Sequence, residues 1–184
     1  MKVKSNDCVL LIIDVQDRLI ATVSEHEAIV RNIIGLIKAT RVLRVPVLAT
    51  EQEKLGETLA EIKTPLSGPV FRKLAFSCCG SREFMTKLRQ TRKRTVIACG
   101  IETHICVEQT VLDLIKNHYQ VLVVKDATSS HAIVDRETAI ERMKASGAVI
   151  TTTEAVIYEL TERAGTEEFR KILDIIKESR RMTQ

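Results

Sequence analysis

The chain has 184 residues, 45% of them hydrophobic and 28% charged, with a formal net charge of +4. That length and balance suit one globular domain with a core of its own. The charge is too small and too evenly spread to argue for nucleic acid, and 3% aromatics with no tryptophan leave no stacking platform for single strands. Cys8, Cys78, Cys79, Cys99 and Cys106 are odd in number and lack metal-type spacing, so no disulfide framework is expected. The apolar run Cys8 to Ile13 is far too short to span a bilayer and ends at Asp14. The expectation is a cytoplasmic protein with neither membrane nor nucleic-acid partners.

The first apolar run, Cys8-Val9-Leu10-Leu11-Ile12-Ile13, has no polar alternation, as a strand covered on both faces of a parallel sheet requires. Asp14 then stands at the C-terminal edge of a central strand, either in a site or simply in water. A helical pattern runs from about Glu25 to Arg44, with Ile29, Ile33, Leu36, Ile37 and Leu43 on one face. Val45 to Thr50 reads as the second strand, Glu51 to Gly56 as its polar loop, and Glu57 to Lys63 as a short helix. Thr64 to Pro69 is a turn cluster, and the third strand falls within Val70 to Ser77. Lys73 is the one cation among apolar neighbours there. Buried lysines are rare unless paired, so Lys73 either reaches solvent or meets an acid, with Asp14 and Glu51 as candidates.

Ser81 to Arg94 is the next helix, with Phe84, Met85 and Leu88 inward. Its basic end, Arg89 to Arg94, reads as a solvated terminus suited to the helix dipole, in preference to a phosphate site. Thr95-Val96-Ile97-Ala98 then gives way, after a short loop, to helical spacing at Val107, Val111, Leu114, Ile115 and His118. This puts Cys106 in the first turn of a helix, where unpaired N–H groups and the dipole lower a thiol's pKa. Plain packing of a buried cysteine is the competing reading.

Gln120 to Asp126 is a fifth strand, and Asp126 to Ser130 its terminal loop. Asp135 caps a helix to Ser146, with Gly147 as the stop, and Ala148 to Thr152 is the sixth strand. A helix from Glu154 to Arg163 breaks before Gly165, and a last amphipathic helix carries Phe169, Ile172, Leu173 and Ile176. Alternation of this kind implies a single α/β domain over residues 1–184. Its architecture is three-layer α/β/α with a six-stranded, mainly parallel, doubly wound sheet. No Gly-x-Gly-x-x-Gly follows a strand and no Gly-x-Ser-x-Gly elbow occurs, and no cofactor is expected.

Three segments go beyond generic α/β. Leu11-Ile12-Ile13-Asp14-Val15-Gln16, Lys73-Leu74-Ala75-Phe76-Ser77 and Gly100-Ile101-Glu102-Thr103-His104-Ile105-Cys106 fall in order at the ends of successive strands. Together they resemble the motifs of the isochorismatase-like cysteine hydrolase superfamily over nearly the whole chain. Thr50-Glu51-Gln52 with Gly56 and Thr58, and Asp126-Ala127-Thr128-Ser129-Ser130, resemble the isochorismatase domain-containing proteins. The resemblance implies Cys106 as nucleophile, Asp14 as proton acceptor and later donor, and Lys73 as the cation that organises both. It implies an acyl-enzyme, an oxyanion hole from the backbone N–H groups of Glu102 and Cys106, and a cis peptide between Ile101 and Glu102. A small-molecule substrate would be lined by Gln16, Leu19, Glu51, Gln52, Phe76 and His104. Metal-using members carry Asp and His ligands after the second strand; the Glu51 loop has no histidine, so no metal is expected.

The leading expectation is a metal-independent cysteine hydrolase acting on a small amide or related C–N bond. Isochorismatase-type hydrolysis, thiol-based redox sensing by Cys106 and a non-catalytic oligomeric scaffold are the alternatives. Asp14 and Lys73 favour the hydrolase, because a redox sensor needs no proton shuttle opposite its thiol. The resemblance also implies a homo-oligomer, a dimer or higher. The stripe Phe169, Ile172, Leu173, Ile176 is either its contact surface or packing against the chain's own sheet.

Overall fold

The computed structural model describes residues 2–181; the expected domain also takes in Met1 and residues 182–184, which lie outside the described residues. The central strand, β1 (Cys8–Ile13), is buried along its whole length. Cys8, Leu10 and Ile12 face one apolar cluster and Val9, Leu11 and Ile13 the other, which is why the strand shows no polar alternation. β2 (Val47–Gln52) and β4 (Thr95–Ile101) flank it, with Ile13 level with Thr50 on one side and Gly100 on the other. β3 (Val70–Lys73) pairs with β2, β5 (Gln120–Ser129) with β4, and β6 (Val149–Thr151) with β5. The order is β3-β2-β1-β4-β5-β6 with every pairing parallel, so the expected doubly wound sheet is the one that forms.

Helices cover both faces. α2 (His26–Val42), α7 (Thr153–Thr161) and α8 (Glu167–Arg181) supply Ile33, Leu36, Val156, Ile157 and Ile172 to one cluster. α4 (Arg82–Gln90), α5 (Glu108–Lys116) and α6 (Ile133–Ala145) supply Phe84, Leu88, Val111, Leu114 and Met143 to the other. The short helices α1 (Asp17–Ile20) and α3 (Ala60–Lys63) sit in the connections after β1 and β2. No helix among the described residues is long and apolar enough to cross a membrane.

The chain winds outward from β1 to β3, returns to β4 beside β1, and winds outward again. The carboxyl ends of β1 and β4 thus lie where the winding reverses, the usual ligand position in open α/β sheets. Gly100 allows the close approach there. It has φ +122°, and a Cβ at that position would fall 2.1 Å from the Ile13 carbonyl oxygen.

Several boundaries differ from expectation. The third strand stops at Lys73 because the next carbonyls turn inward: Leu74 O accepts from Gln52 Nε2, and Ala75 O and Phe76 O accept from Lys73 Nζ. β5 runs on through the expected loop, its register jumping from Ala98↔Val123 to Gly100↔Thr128. The irregular segment is stabilised by side chains: Asn32 Nδ2 donates to Asp126 O at 2.6 Å, and Asp126 Oδ1 accepts from Thr153 N at 2.7 Å. Asp135 does not cap α6; Ala132 precedes the helix without a side-chain bond, and Asp135 lies in the first turn. Ile172 and Ile176 on α8 are buried in the chain's own core, and Phe169 and Leu173 are half-buried, so that stripe is packing rather than free surface.

Candidate active site

Asp14 is the residue at which β1 leaves the sheet. Its φ is +52° and its N–H donates to Thr50 O at 3.1 Å. The carboxyl is wholly buried, and Oδ1 accepts a hydrogen bond from Thr50 Oγ1 at 2.8 Å. Lys73 ends β3, two strands away, and its long side chain reaches back to place Nζ 2.6 Å from Asp14 Oδ2. Of the two acids expected as its partner, Asp14 is the one it meets; Glu51 instead lies 3.6 Å from exposed Arg72.

The ammonium donates to Gln52 Oε1 at 2.8 Å, Phe76 O at 2.9 Å and Ala75 O at 3.2 Å. An ammonium has three protons. Asp14 Oδ2 therefore feels the charge of Lys73 without a well-aligned donor from it, and no other aligned donor reaches that oxygen among the described residues. It is left as an acceptor. The Cys106 thiol lies near enough to this carboxyl and to Lys73 to feel the charge of each.

Cys106 lies in a π-helical turn, Thr103–Val107, in which Ile105 N and Val107 N both donate to Glu102 O at 3.2 Å. The α-helix proper starts only at Glu108, so Cys106 precedes it rather than opening its first turn. The thiol is 5% exposed. Burial pushes its pKa up, the Asp14 charge pushes it further, and Lys73 offsets only part of this. This corrects the expectation of a lowered pKa: desolvation and a facing carboxylate outweigh the helix terminus. For Lys73, burial opposes the charge, yet Asp14, followed by Cys78, holds its pKa above the ordinary lysine value.

Two members of this cluster were not singled out from sequence. Thr50 fixes one carboxyl oxygen of Asp14, and its hydroxyl also lies 3.5 Å from Cys78 Sγ. Cys78 is a second buried thiol, its pKa pushed up to about 12 by burial and then by Asp14. Thr50 was visible only as part of a family motif, and Cys78 only as half of an adjacent cysteine pair.

The expected lining residues fall into different places. Gln52 holds Lys73 through Oε1 and Leu74 O through Nε2. Gln16 is fully buried, and its amide is taken up by Gln52 N, Gln52 O and Gly56 O, so it braces the β2 loop. Glu51 Oε1 accepts from Thr58 N and Oγ1, both at 2.8 Å, which closes the same loop. Beside it lies a groove of about 430 Å³ lined by residues that include Glu51, Gln52 and Arg72. Leu19 packs half-buried against the α2 side of the core. Phe76 is exposed, its carbonyl on Lys73. His104 Nδ1 lies 2.9 Å from Ser130 Oγ, and Glu102 Oε2 accepts from His131 N at 2.9 Å. The Ile101–Glu102 peptide is cis, as the resemblance implied. Among the described residues no three of His, Cys, Asp and Glu come together as a metal-ligand set.

Comparison with known proteins gives the family. The isochorismatase domain model matches residues 8–155. A secreted isochorismatase effector of Phytophthora sojae is 38% identical, covering 92% of this chain and 84% of that protein. Human isochorismatase domain-containing protein 2 is 35% identical, covering 96% and 86%. Among solved structures, one described as a MAR1 ribonuclease from Caenorhabditis elegans superposes with a TM-score of 0.91 at 32% identity, covering 96% of this chain and 93% of that one. The chain belongs to the isochorismatase family of hydrolases.

Proposed function

We propose that this protein is a metal-independent cysteine hydrolase that cleaves a small amide, or a related C–N bond, through a covalent intermediate on Cys106. The observation that carries the reading is the buried Asp14–Lys73 pair, 2.6 Å apart, whose Asp14 Oδ2 has no aligned donor and whose two charges both act on the Cys106 thiol. Cys106 Sγ attacks the carbonyl carbon while its proton passes to Asp14. Asp14 returns that proton to the nitrogen as the C–N bond breaks, leaving a thioester and a free amine. Water then attacks the thioester, Asp14 takes its proton, and the thiolate leaves and is reprotonated. The backbone N–H groups of Glu102 and Cys106 stabilise the tetrahedral oxyanion in both halves. Lys73 keeps Asp14 paired throughout and donates no proton.

The raised Cys106 pKa supports this over redox sensing, which needs a standing thiolate. RNA cleavage, named for the C. elegans neighbour, finds less support. The basic stretch Arg89 to Arg94 precedes β4 and so lies at the opposite edge of the sheet from Cys106. The five free cysteines support a reducing, cytoplasmic location. A homo-oligomer is part of the same reading, and light scattering at micromolar concentration measures it.

The test is ammonia release from a panel of primary amides by the native chain and by Cys106→Ala. The expected result is turnover that Cys106→Ala abolishes with the fold intact, and that chelator leaves unchanged. Full activity in Cys106→Ala overturns the proposal.

A further inference from the structure

Four large apolar side chains stand in water among the described residues: Leu74 at 72% exposed, Phe76 at 53%, Ile133 at 67% and Val134 at 69%. Leu74 and Phe76 lie in the segment after β3 whose carbonyls bind Gln52 and Lys73, and Ile133 and Val134 are the first two residues of α6. Leu74 and Phe76 follow Lys73 directly. Because the carbonyls of residues 74–76 turn in to Gln52 and Lys73, these two side chains turn out.

Ile133 and Val134 open α6 just after the loop of residues 130–132. That loop is fastened to the nucleophile turn by Glu102 Oε2 on His131 N and by His104 Nδ1 with Ser130 Oγ. Asp135, next to Val134, lies 3.9 Å from His104 Nε2. Ser24 holds the loop from behind, its hydroxyl donating to Ser130 O at 3.1 Å. Both apolar pairs thus sit on backbone fixed relative to Lys73 and Cys106. Neither pair belongs to either buried cluster, so this apolar surface is left to solvent beside the site.

The interior of the site has the opposite character, with Thr50, Asp14, Lys73 and Gln52 close together. A ligand that satisfies both regions has a polar reacting end and an apolar remainder. In a thioester mechanism the acyl part stays on the enzyme until water attacks, so it is the acyl part that the protein must hold.

We propose that Leu74, Phe76, Ile133 and Val134 form an apolar rim that selects amides with an apolar acyl chain, an inference that rests on the amide-hydrolase reading. The rim contributes in proportion to the hydrocarbon it covers, which predicts a rise in kcat/KM of about two- to fourfold per added methylene.

The experiment measures ammonia release from acetamide, butanamide and hexanamide by the full chain and by Phe76→Ser and Val134→Ser. Light scattering is run on each protein. The expected result is a rise in kcat/KM from acetamide to hexanamide in the native chain. The hexanamide-to-acetamide ratio then falls in both variants by roughly fivefold or more, without change in assembly. Turnover with no dependence on chain length overturns the rim and leaves the hydrolase reading standing. A dependence that both variants retain also overturns it. A change of assembly in the variants with an unchanged ratio shows the patch to be a contact between copies, again against the proposal. No turnover or Cys106 adduct with any of the three amides removes the hydrolase reading, and the rim with it.

Discussion

Lys73 Nζ stands 2.6 Å from Asp14 Oδ2 with both side chains shut off from solvent. Each is the other's compensation, and deleting one strands a buried charge. Lys73→Ala is therefore expected to lose roughly 3–5 kcal/mol of stability along with activity, as read by urea unfolding. The double variant Asp14→Asn, Lys73→Met should recover much of the stability and none of the activity. Loss of activity in Lys73→Ala without loss of stability would show that the pair is not the buried unit described here.

Asp14→Asn separates two roles that move in opposite directions. The carboxylate raises the pKa of Cys106, and Lys73 lowers it. Removing the carboxylate leaves the lysine, so alkylation of Cys106 by iodoacetamide at neutral pH is expected to speed up. Turnover is expected to fall by about 10²-fold or more, because the proton acceptor is gone. A variant in which alkylation and turnover fall together contradicts the proton-acceptor role.

Buried thiols set the alkaline limit of stability. The pKa values of Cys8 and Cys78 are pushed up to about 12 and that of Cys79 to about 11, from an ordinary 9.0. Burial is the first cause for each. The unfolded chain loses these protons first, so the contribution is complete below pH 9.0 and shrinks as pH rises toward the folded values. Lys73 acts with the same sign above 10.5. Urea midpoints should hold steady up to about pH 9 and fall above it. A midpoint that rises above that pH contradicts the burial of these groups.

Gly100 is fixed by its surroundings. An added Cβ meets the Ile13 carbonyl oxygen at 2.1 Å, and φ is +122°, so Gly100→Ala combines a clash with a disfavoured backbone. The expected loss is roughly 3–5 kcal/mol, measured by thermal unfolding followed by circular dichroism. A variant as stable as the native chain would show that β1 and β4 do not approach as described.

The fold was largely legible because buried parallel strands announce themselves as unbroken apolar runs, as Cys8–Ile13 and Val121–Val124 do. What failed locally depends on contacts distant in sequence. The end of β3 is decided by carbonyls that turn to Lys73 and Gln52, and the bend in β5 by Asn32 and Thr153. The α8 stripe read equally well as core or interface, and only its packing beside α2 decides between them. At the site, the three motifs marked Asp14, Lys73 and Cys106. The direction of the Cys106 shift was missed because local spacing shows the helix end but not how deeply the thiol is buried, which is the largest cause of the rise. Gln16 was expected as a lining residue, while its amide is occupied by the β2 loop, a contact distant in sequence.

Covalent chemistry at Cys106 is the central claim, and peptide mass mapping of protein quenched during turnover tests it most directly. The chain is mixed with a primary amide, quenched in acid within seconds, digested and sequenced by mass spectrometry. The expected result is the mass of the acyl group on the peptide containing Cys106. The adduct should be labile to hydroxylamine as a thioester is, and absent from Cys8, Cys78, Cys79 and Cys99. Steady turnover with no acyl mass on Cys106, together with undiminished activity in Cys106→Ala, would contradict it.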